Sequence, residues 1–380
     1  MPRSAWAVIG LLLAASLRAQ SPLPRLDAEV NAAIERRELP GAVVLILHKD
    51  MVVHRKAYGS RALEPKVEPA TVDTIYDLAS LTKPIATATS IFILMEQGKL
   101  KLDDPVAKHW PAFAANGKEK VTIEQCLLHT SGLMADNPIT DYSDKTIHPL
   151  DRIAALKLDA PPGTKFRYSD VGFIVLGHLV ERISGTEIRS FTDETIFAPL
   201  GMTKTRFAPL PPSEPKALPR IDPSLIAPTQ RIDGKCLRGV VHDPRARAMN
   251  QVAGHAGLFS TADNLVVFCR MILNDGTLNG KRVLKPESVR LMTESCNVPG
   301  GLRTRGWDCD TSYSANRGTL FPKGKSFGHT GFTGTAILID PESQTAVIFL
   351  SNRVHPDGKG NVTKLRGIVS TLAAEAVGVQ

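Results

Sequence analysis

The chain has few cysteines and few aromatic residues, and its positive charges are not clustered. Its five cysteines, Cys126, Cys236, Cys269, Cys296 and Cys309, include no C-x-x-C pair, which argues against a zinc knuckle. An odd count leaves at least one thiol free; Cys296 with Cys309 is a possible bridge, which sequence alone does not assign. Aromatics are 6% of residues and do not interleave with a basic stripe, so the net charge of +8 does not describe a nucleic-acid surface. The scattered lysines and arginines serve solubility first, with a mild attraction for an anionic polymer such as a cell wall second. No unit recurs at a fixed period, which excludes a solenoid or propeller. Beyond residue 19 no stretch is apolar enough to span a bilayer.

The N-terminus is different. Arg3 precedes an unbroken apolar run from Ala5 to Ala15, and Leu17-Arg18-Ala19 places a small residue before Gln20. A positive start, a short apolar stretch and a small residue describe a secretory signal peptide over residues 1–19 rather than a retained anchor. No cysteine stands at the cleavage site to take a lipid. Loss of Arg3 and Arg18 takes the net charge from +8 to +6. One functional domain over 20–380, secreted or periplasmic, is expected. At 43% hydrophobic it can bury a large core.

Apolar Leu26, Val30, Ala33 and Ile34 predict a helix over 26–37. Strands over 42–48 and 51–57 follow, turned at Lys49-Asp50. Ile85, Ala88, Ile91, Phe92 and Met95 predict a helix over 84–97, closed by Gly98, and a second helix over 172–184 is closed by Gly185. Dense proline from Pro209 to Pro228 predicts an extended surface loop. Strands over 335–339 and 345–350, joined at Asp340-Pro341-Glu342, precede a last helix over 362–377. Strands at both ends with helices between predict one sheet built from the two termini (about 26–78 and 255–380). A helical region (about 79–254) lies beside it, with a cleft between.

Three short motifs carry chemistry. In Ser80-Leu81-Thr82-Lys83 a hydroxyl and an amine three apart project from one helix face. A serine needs a base to become a nucleophile, and a lysine serves as one when burial or nearby positive charge depresses its pKa. A helix N-terminus adds N–H groups for an oxyanion. The plain alternative is a capping serine followed by a surface lysine. In Tyr168-Ser169-Asp170 a phenol beside cations can lose its proton well below its usual pKa of about 10 and serve as base and proton donor. Asp170 can orient Lys83 or the substrate amide. In Gly328-His329-Thr330-Gly331 the glycines admit a substrate backbone to a strand edge. The N–H of Phe332 is then a second oxyanion donor beside that of Ser80.

In this order the motifs resemble those of the serine β-lactamase and penicillin-binding superfamily, whose usual forms are Ser-x-x-Lys, Tyr-x-Asn or Ser-x-Asn, and Lys-Thr-Gly. The branch that looks closest holds class C β-lactamases, esterases and D-aminopeptidases. Further stretches share the resemblance: Glu96 to Pro105, Leu127-Leu128-His129-Thr130-Ser131-Gly132-Leu133, Pro199-Leu200-Gly201-Met202, and Ala253 to Thr261. Coverage runs from about residue 26 to 375. The resemblance implies an α/β (α+β) fold of the β-lactamase/transpeptidase kind: an antiparallel sheet from both chain ends flanked by helices, with a helical subdomain. It implies an acyl-enzyme on Ser80, proton transfer by Lys83 and Tyr168, and substrate orientation by Asp170, His329, Thr330, Gly331 and Phe332. His129 reads as part of a structural loop. His255 either lines the cleft or supports it, and a metal site of His242, Asp243 and His255 is the weaker reading.

Two positions depart from the usual forms. His329 replaces the third-motif lysine and is largely neutral at pH 7, so it holds a carboxylate less firmly. Asp170 replaces the second-motif Asn, repels an anionic substrate and can hold Lys83 protonated. Both lower the expectation of efficient β-lactam hydrolysis. The expected function is a serine acyl hydrolase, needing no cofactor and no metal, on an ester or a D-amino-acid-containing, cell-wall-like peptide. A slow penicillin- or peptide-binding protein and a true β-lactamase are the alternatives.

Overall fold

The computed structural model describes residues 22–143, 146–207 and 218–379. The segment read as a signal peptide lies outside them. Helix α1 (Pro22–Glu35) leads into strands β1 (Gly41–His48) and β2 (Met51–Ala62), and β3 (Glu68–Pro69) closes that edge. The other strands of the sheet come from the far end of the chain. They are β4 (Cys296–Val298), β5 (Gly301–Arg303), β6 (Asp308–Asp310), β7 (Phe327–Thr330), β8 (Ala336–Asp340) and β9 (Thr345–Ser351). Their order is β4-β5-β6-β7-β8-β9-β1-β2-β3, and every neighbouring pair is antiparallel. The junction of the chain ends is the β1–β9 pair, with Ala42 opposite Ser351 and His48 opposite Thr345.

Strand β1 is apolar without a break because both of its faces are covered. Side chains alternate along a strand, and the sorting is visible here. Ala42, Val44 and Ile46 pack with Leu26 and Val30 of α1 and with Val369 and Leu372 of the last helix, Thr363–Ala376. Val43, Leu45 and Leu47 face the opposite way, into the core of the helical half. That half contains the helical run from Lys83 to Glu96 and the helix Asp170–Ser184. A small three-stranded sheet of Tyr76–Asp77, Leu258–Ser260 and Arg206–Phe207 stitches it to the nucleophile segment.

One question left open by the sequence is answered here, and one expectation fails. Cys296 and Cys309 are free thiols. Cys296 faces Arg303 on β5 and Arg303 faces Asp308 on β6, so a whole strand separates the two cysteines. The proline-rich stretch, described from Leu218 onward, is packed: Leu218, Ile221, Ile226 and Ala227 are buried, and Ile226 bridges Ile75. Proline removes ladder donors and excludes helix, but it does not forbid burial. No helix among the described residues is long and apolar enough to cross a membrane.

Candidate active site

The nucleophile segment leaves the small sheet at Asp77 and turns sharply. Ala79 adopts φ +47°, a left-handed conformation costly for a side chain with a Cβ, and Ala79–Leu81 then form a single 3-10 turn. The helix beyond opens with a wide π-type turn over Lys83–Ala88 before regular geometry begins at Thr89. Ser80 is thereby left partly exposed on the cleft floor, with buried Lys83 beneath it. Lys83 Nζ donates to Ser80 Oγ at 3.1 Å and to the His255 carbonyl at 3.1 Å, and it pairs with Asp170 Oδ1 at 2.5 Å. The Tyr168 ring lies beside them, its centroid 4.9 Å from Lys83 Nζ, and its phenol interacts with both Lys83 and Ser80.

Burial alone would favour a neutral Lys83. The Asp170 carboxylate and the Tyr168 phenol outweigh it and hold the ammonium charged above its ordinary range. Asp170 thus keeps Lys83 protonated, as its replacement of the usual Asn implied. The expected low-pKa tyrosine is not what the structure contains. Burial raises Tyr168 above its usual value; the Lys83 charge opposes this, but Asp170 reinforces it. A cation already neutralised by a carboxylate has little left with which to ionise a phenol.

His129, set aside as structural from the sequence, stacks on Tyr168 with ring centroids 4.5 Å apart. Its Nδ1 accepts the main-chain N–H of Ser169 at 3.0 Å. The Ser169 hydroxyl donates to the Met134 carbonyl and accepts the N–H of Gly172, capping the helix that begins at Asp170. His129 therefore grips the second motif from two sides. Burial, then the charges of Arg303 and Lys83, push it well below its ordinary pKa, so the ring is neutral. Its sequence signal was the loop motif Leu127 to Leu133, which says nothing of the ring's target.

His329 lies on β7 facing Tyr168, with ring centroids 5.9 Å apart. Burial and the charges of Arg303 and Lys83 also push it well below its ordinary pKa. Its Nδ1 lies 2.9 Å from the Thr330 carbonyl, which can only accept. The neutral ring accordingly carries its proton on Nδ1 and leaves Nε2 as an acceptor. Gly331 allows the strand to approach the nucleophile turn: a Cβ there would lie 2.4 Å from the Leu78 carbonyl. Phe332 is exposed at the cleft rim, held between the His242 ring and the Arg353 guanidinium.

His255 is buried, and its Nε2 lies 2.9 Å from Asp243 Oδ1. Burial disfavours the Asp243 charge, but His255 beside it wins and holds the carboxyl below the usual range. The His242, Asp243 and His255 metal site does not assemble. The His242 ring turns to Gln230 at 3.1 Å and stacks on Phe332. Asp170 takes its place near Asp243 and His255, with ligand atoms within 4.8 Å of one another. The Lys83 ammonium and the His255 ring already engage those carboxylates.

The cleft has a volume of about 570 Å³, and Ser80, Tyr168, His329, Thr330, Gly331 and Phe332 line it. Arg303 and Arg366 line it too, and neither carried a motif that sequence reasoning could use. Arg303 is fully buried: one guanidinium nitrogen donates to Asp308 at 3.0 Å, while Nε and the third nitrogen have no partner. Arg366, nine-tenths buried, donates to the Gly331 carbonyl and has an unpartnered Nε.

The family model described as Beta-lactamase matches residues 26–368. A protein of Escherichia coli O157:H7 named "Putative D-alanyl-D-alanine carboxypeptidase" is 33% identical over 354 residues, 83% of this chain and 79% of its own. The crystal structure of a class C β-lactamase from Rhodobacter sphaeroides superposes with a TM-score of 0.71 at 20% identity, over 92% of this chain and 97% of that one. The octameric penicillin-binding protein homologue from Pyrococcus abyssi gives 0.71 at 23%, over 94% and 77%. These two share the fold. With a family model spanning almost all of the described residues, the chain belongs to the Beta-lactamase family and is a serine hydrolase of that family.

Proposed function

We propose that the protein works outside the cytoplasm as a serine peptidase on D-amino-acid-containing peptides that carry a free carboxylate beside the scissile bond. The supporting observation is the pair of buried arginines with unpartnered N–H groups, in the same cleft as Ser80. A buried donor without a partner costs about 1–3 kcal/mol, so a ligand that satisfies it recovers that amount. His329 offers only an acceptor toward the cleft and cannot bind an anion; among the cations that line the cleft, Arg303 and Arg366 are the buried ones with spare donors. The name of the Escherichia coli relative points to the same substrate class.

In this reading Ser80 Oγ attacks the peptide carbonyl. Because Lys83 is charged, it accepts the Ser80 proton only as it passes one of its own to Asp170 Oδ1, 2.5 Å away. The N–H groups of Ser80 and Phe332 receive the oxyanion. Neutral Tyr168 gives its proton to the departing amine and regains one from the Lys83–Asp170 pair. Water then attacks the ester on Ser80 by the reverse route and releases the acid.

The test is intact-protein mass spectrometry after a fluorophosphonate and, separately, a penicillin, alongside turnover of a peptide ending in D-alanyl-D-alanine and of its C-terminal carboxamide. Labelling of wild type but not of Ser80→Ala, with turnover of the acid well above the carboxamide, is expected. Equal turnover of acid and amide would refute the carboxylate requirement, and hydrolysis of simple esters alone would move the assignment to an esterase. A penicillin adduct that is never released, with no peptide turnover, would identify a binding protein.

A further inference from the structure

A buried carboxyl that the mechanism does not use stands beside the nucleophile. Asp77 is 2% exposed and sits three residues before Ser80. Its Oδ1 accepts the N–H of Ala79 at 2.8 Å, and its Oδ2 accepts the N–H of His242 at 2.8 Å. Its main-chain carbonyl accepts the Thr333 hydroxyl at 2.7 Å, and the next carbonyl, of Leu78, accepts that of Thr335 at 2.9 Å. These contacts reach three segments around Ser80. Ala79 is the left-handed residue that presents Ser80. His242 precedes Asp243, the partner of His255, whose carbonyl takes a hydrogen bond from Lys83. Thr333 and Thr335 shape the turn that follows Gly331.

We propose that Asp77 is a positioning residue: its ionised carboxylate bridges the nucleophile turn to the loop of Asp243 and holds Ser80 in its attacking geometry. The inference rests on Ser80 being the acylated residue. An ionised carboxylate can accept from two donors at once, one on each oxygen. The neutral acid turns an O–H toward one of those N–H groups, so protonation breaks one side of the bridge.

Burial pushes Asp77 up to about 6; the N–H groups of His242 and Ala79 work against the rise, Asp243 adds to it, and Arg247 opposes it. Arg247 donates to the carbonyls of Val241 and His242, so it sits on the same loop. The His242 ring turns away to Gln230 and Phe332, and only its main chain faces Asp77. The bridge is therefore complete above about pH 6 and is lost as pH falls through that value. Acylation should fall with it.

The experiment measures the rate of Ser80 labelling by a fluorophosphonate from pH 5 to 8, with thermal unfolding recorded beside it. Asp77→Asn has the shape of the acid and cannot ionise. It is expected to label about ten- to a hundredfold more slowly at pH 7.5, the scale of one unsatisfied buried donor, with a flat pH profile. Wild type should show an acid limb near pH 6. A purely structural Asp77 would change the unfolding temperature and leave the wild-type profile flat, and that result overturns the proposal, as does an Asn variant that labels at the wild-type rate. If the Asn variant does not fold, Arg247→Met decides. Removing the cation that favours the Asp77 charge should move the limb to higher pH, and an unmoved limb refutes the assignment. Wild type that takes no label would sink the Ser80 reading itself, whereas labelled wild type with an indifferent Asn variant sinks the bridge alone.

Discussion

Asp170→Asn restores the residue usual in the second motif, and the structure says what that should cost. Lys83 is fully buried and Asp170 is 19% exposed, 2.5 Å apart. Breaking a buried ion pair by removing one partner costs about 3–5 kcal/mol. The partial exposure of Asp170 and the amide oxygen that Asn still offers bring the expectation to about 2–3 kcal/mol at pH 7. Its pH dependence has a definite sign. In wild type the folded-state pKa of Lys83 is raised, so its contribution is complete below the unfolded value of 10.5 and is lost only above it. In the variant only the Tyr168 phenol still opposes burial, so the folded pKa falls, the ammonium is held less well at neutral pH and the penalty fades as pH rises toward the unfolded value of 10.5. Urea unfolding at pH 7 and pH 9.5 measures both. The same change enlarges the neutral fraction of Lys83 and makes it a direct base for Ser80. Labelling by a penicillin should therefore rise with pH between 7 and 9 in the variant and exceed wild type several-fold, helped by the loss of a negative charge from the cleft. A variant as stable as wild type at pH 7, with an unchanged pH profile, would refute the idea that Asp170 holds the Lys83 proton.

Two further substitutions probe the second motif. Tyr168→Phe keeps the ring stacked on His129 and removes the proton donor to the leaving group. kcat for peptide turnover should drop by about 10²–10⁴, the usual worth of a general acid, and an unchanged kcat would remove Tyr168 from the mechanism. His129→Phe keeps the stack and leaves the Ser169 N–H without its acceptor. It should lower stability by about 1–3 kcal/mol in urea unfolding and slow acylation with it, and retention of both would show that His129 only fills space.

The parts of this molecule legible in the sequence are those written as periodicity or as a local motif. The apolar run of β1, the hairpin turn at Lys49-Asp50 and the helix closed by Gly185 follow from spacing and turn chemistry, and the structure places them within a few residues of expectation. The proximity of Ser80, Lys83 and Tyr168 followed from motif order. What could not be read are partnerships between distant segments. His129 meets Tyr168 across 39 positions of chain, and His255 reaches Asp243 while His242 turns away. Residue type gives a His-Asp-His cluster its donors but not their directions. Charge balance was hidden for the same reason: whether a tyrosine beside a lysine ionises depends on whether a carboxylate has already neutralised that lysine.

That balance also explains how the site tolerates its two departures. Replacing the third-motif lysine with neutral His329 removes a positive charge, and replacing Asn with Asp170 adds a negative one, so the two changes together make the cleft less attractive to anions. Asp170 spends its charge on Lys83, and Asp308 spends its own on Arg303. Arg366 donates only to a carbonyl, and burial followed by the Arg353 charge brings it down to about 9, which leaves it protonated at neutral pH. Among the described residues that line it, the cleft thus retains two cations without an anionic partner: Arg353, beyond the last strand, and Arg366, on the first turn of the C-terminal helix rather than on the third motif. A carboxylate that reaches Arg366 gains an ion pair inside a desolvated pocket without competing for Lys83, whose charge is already committed to the proton path. In the proposed mechanism anion binding and proton transfer, which a cationic third motif would place side by side, fall to separate residues.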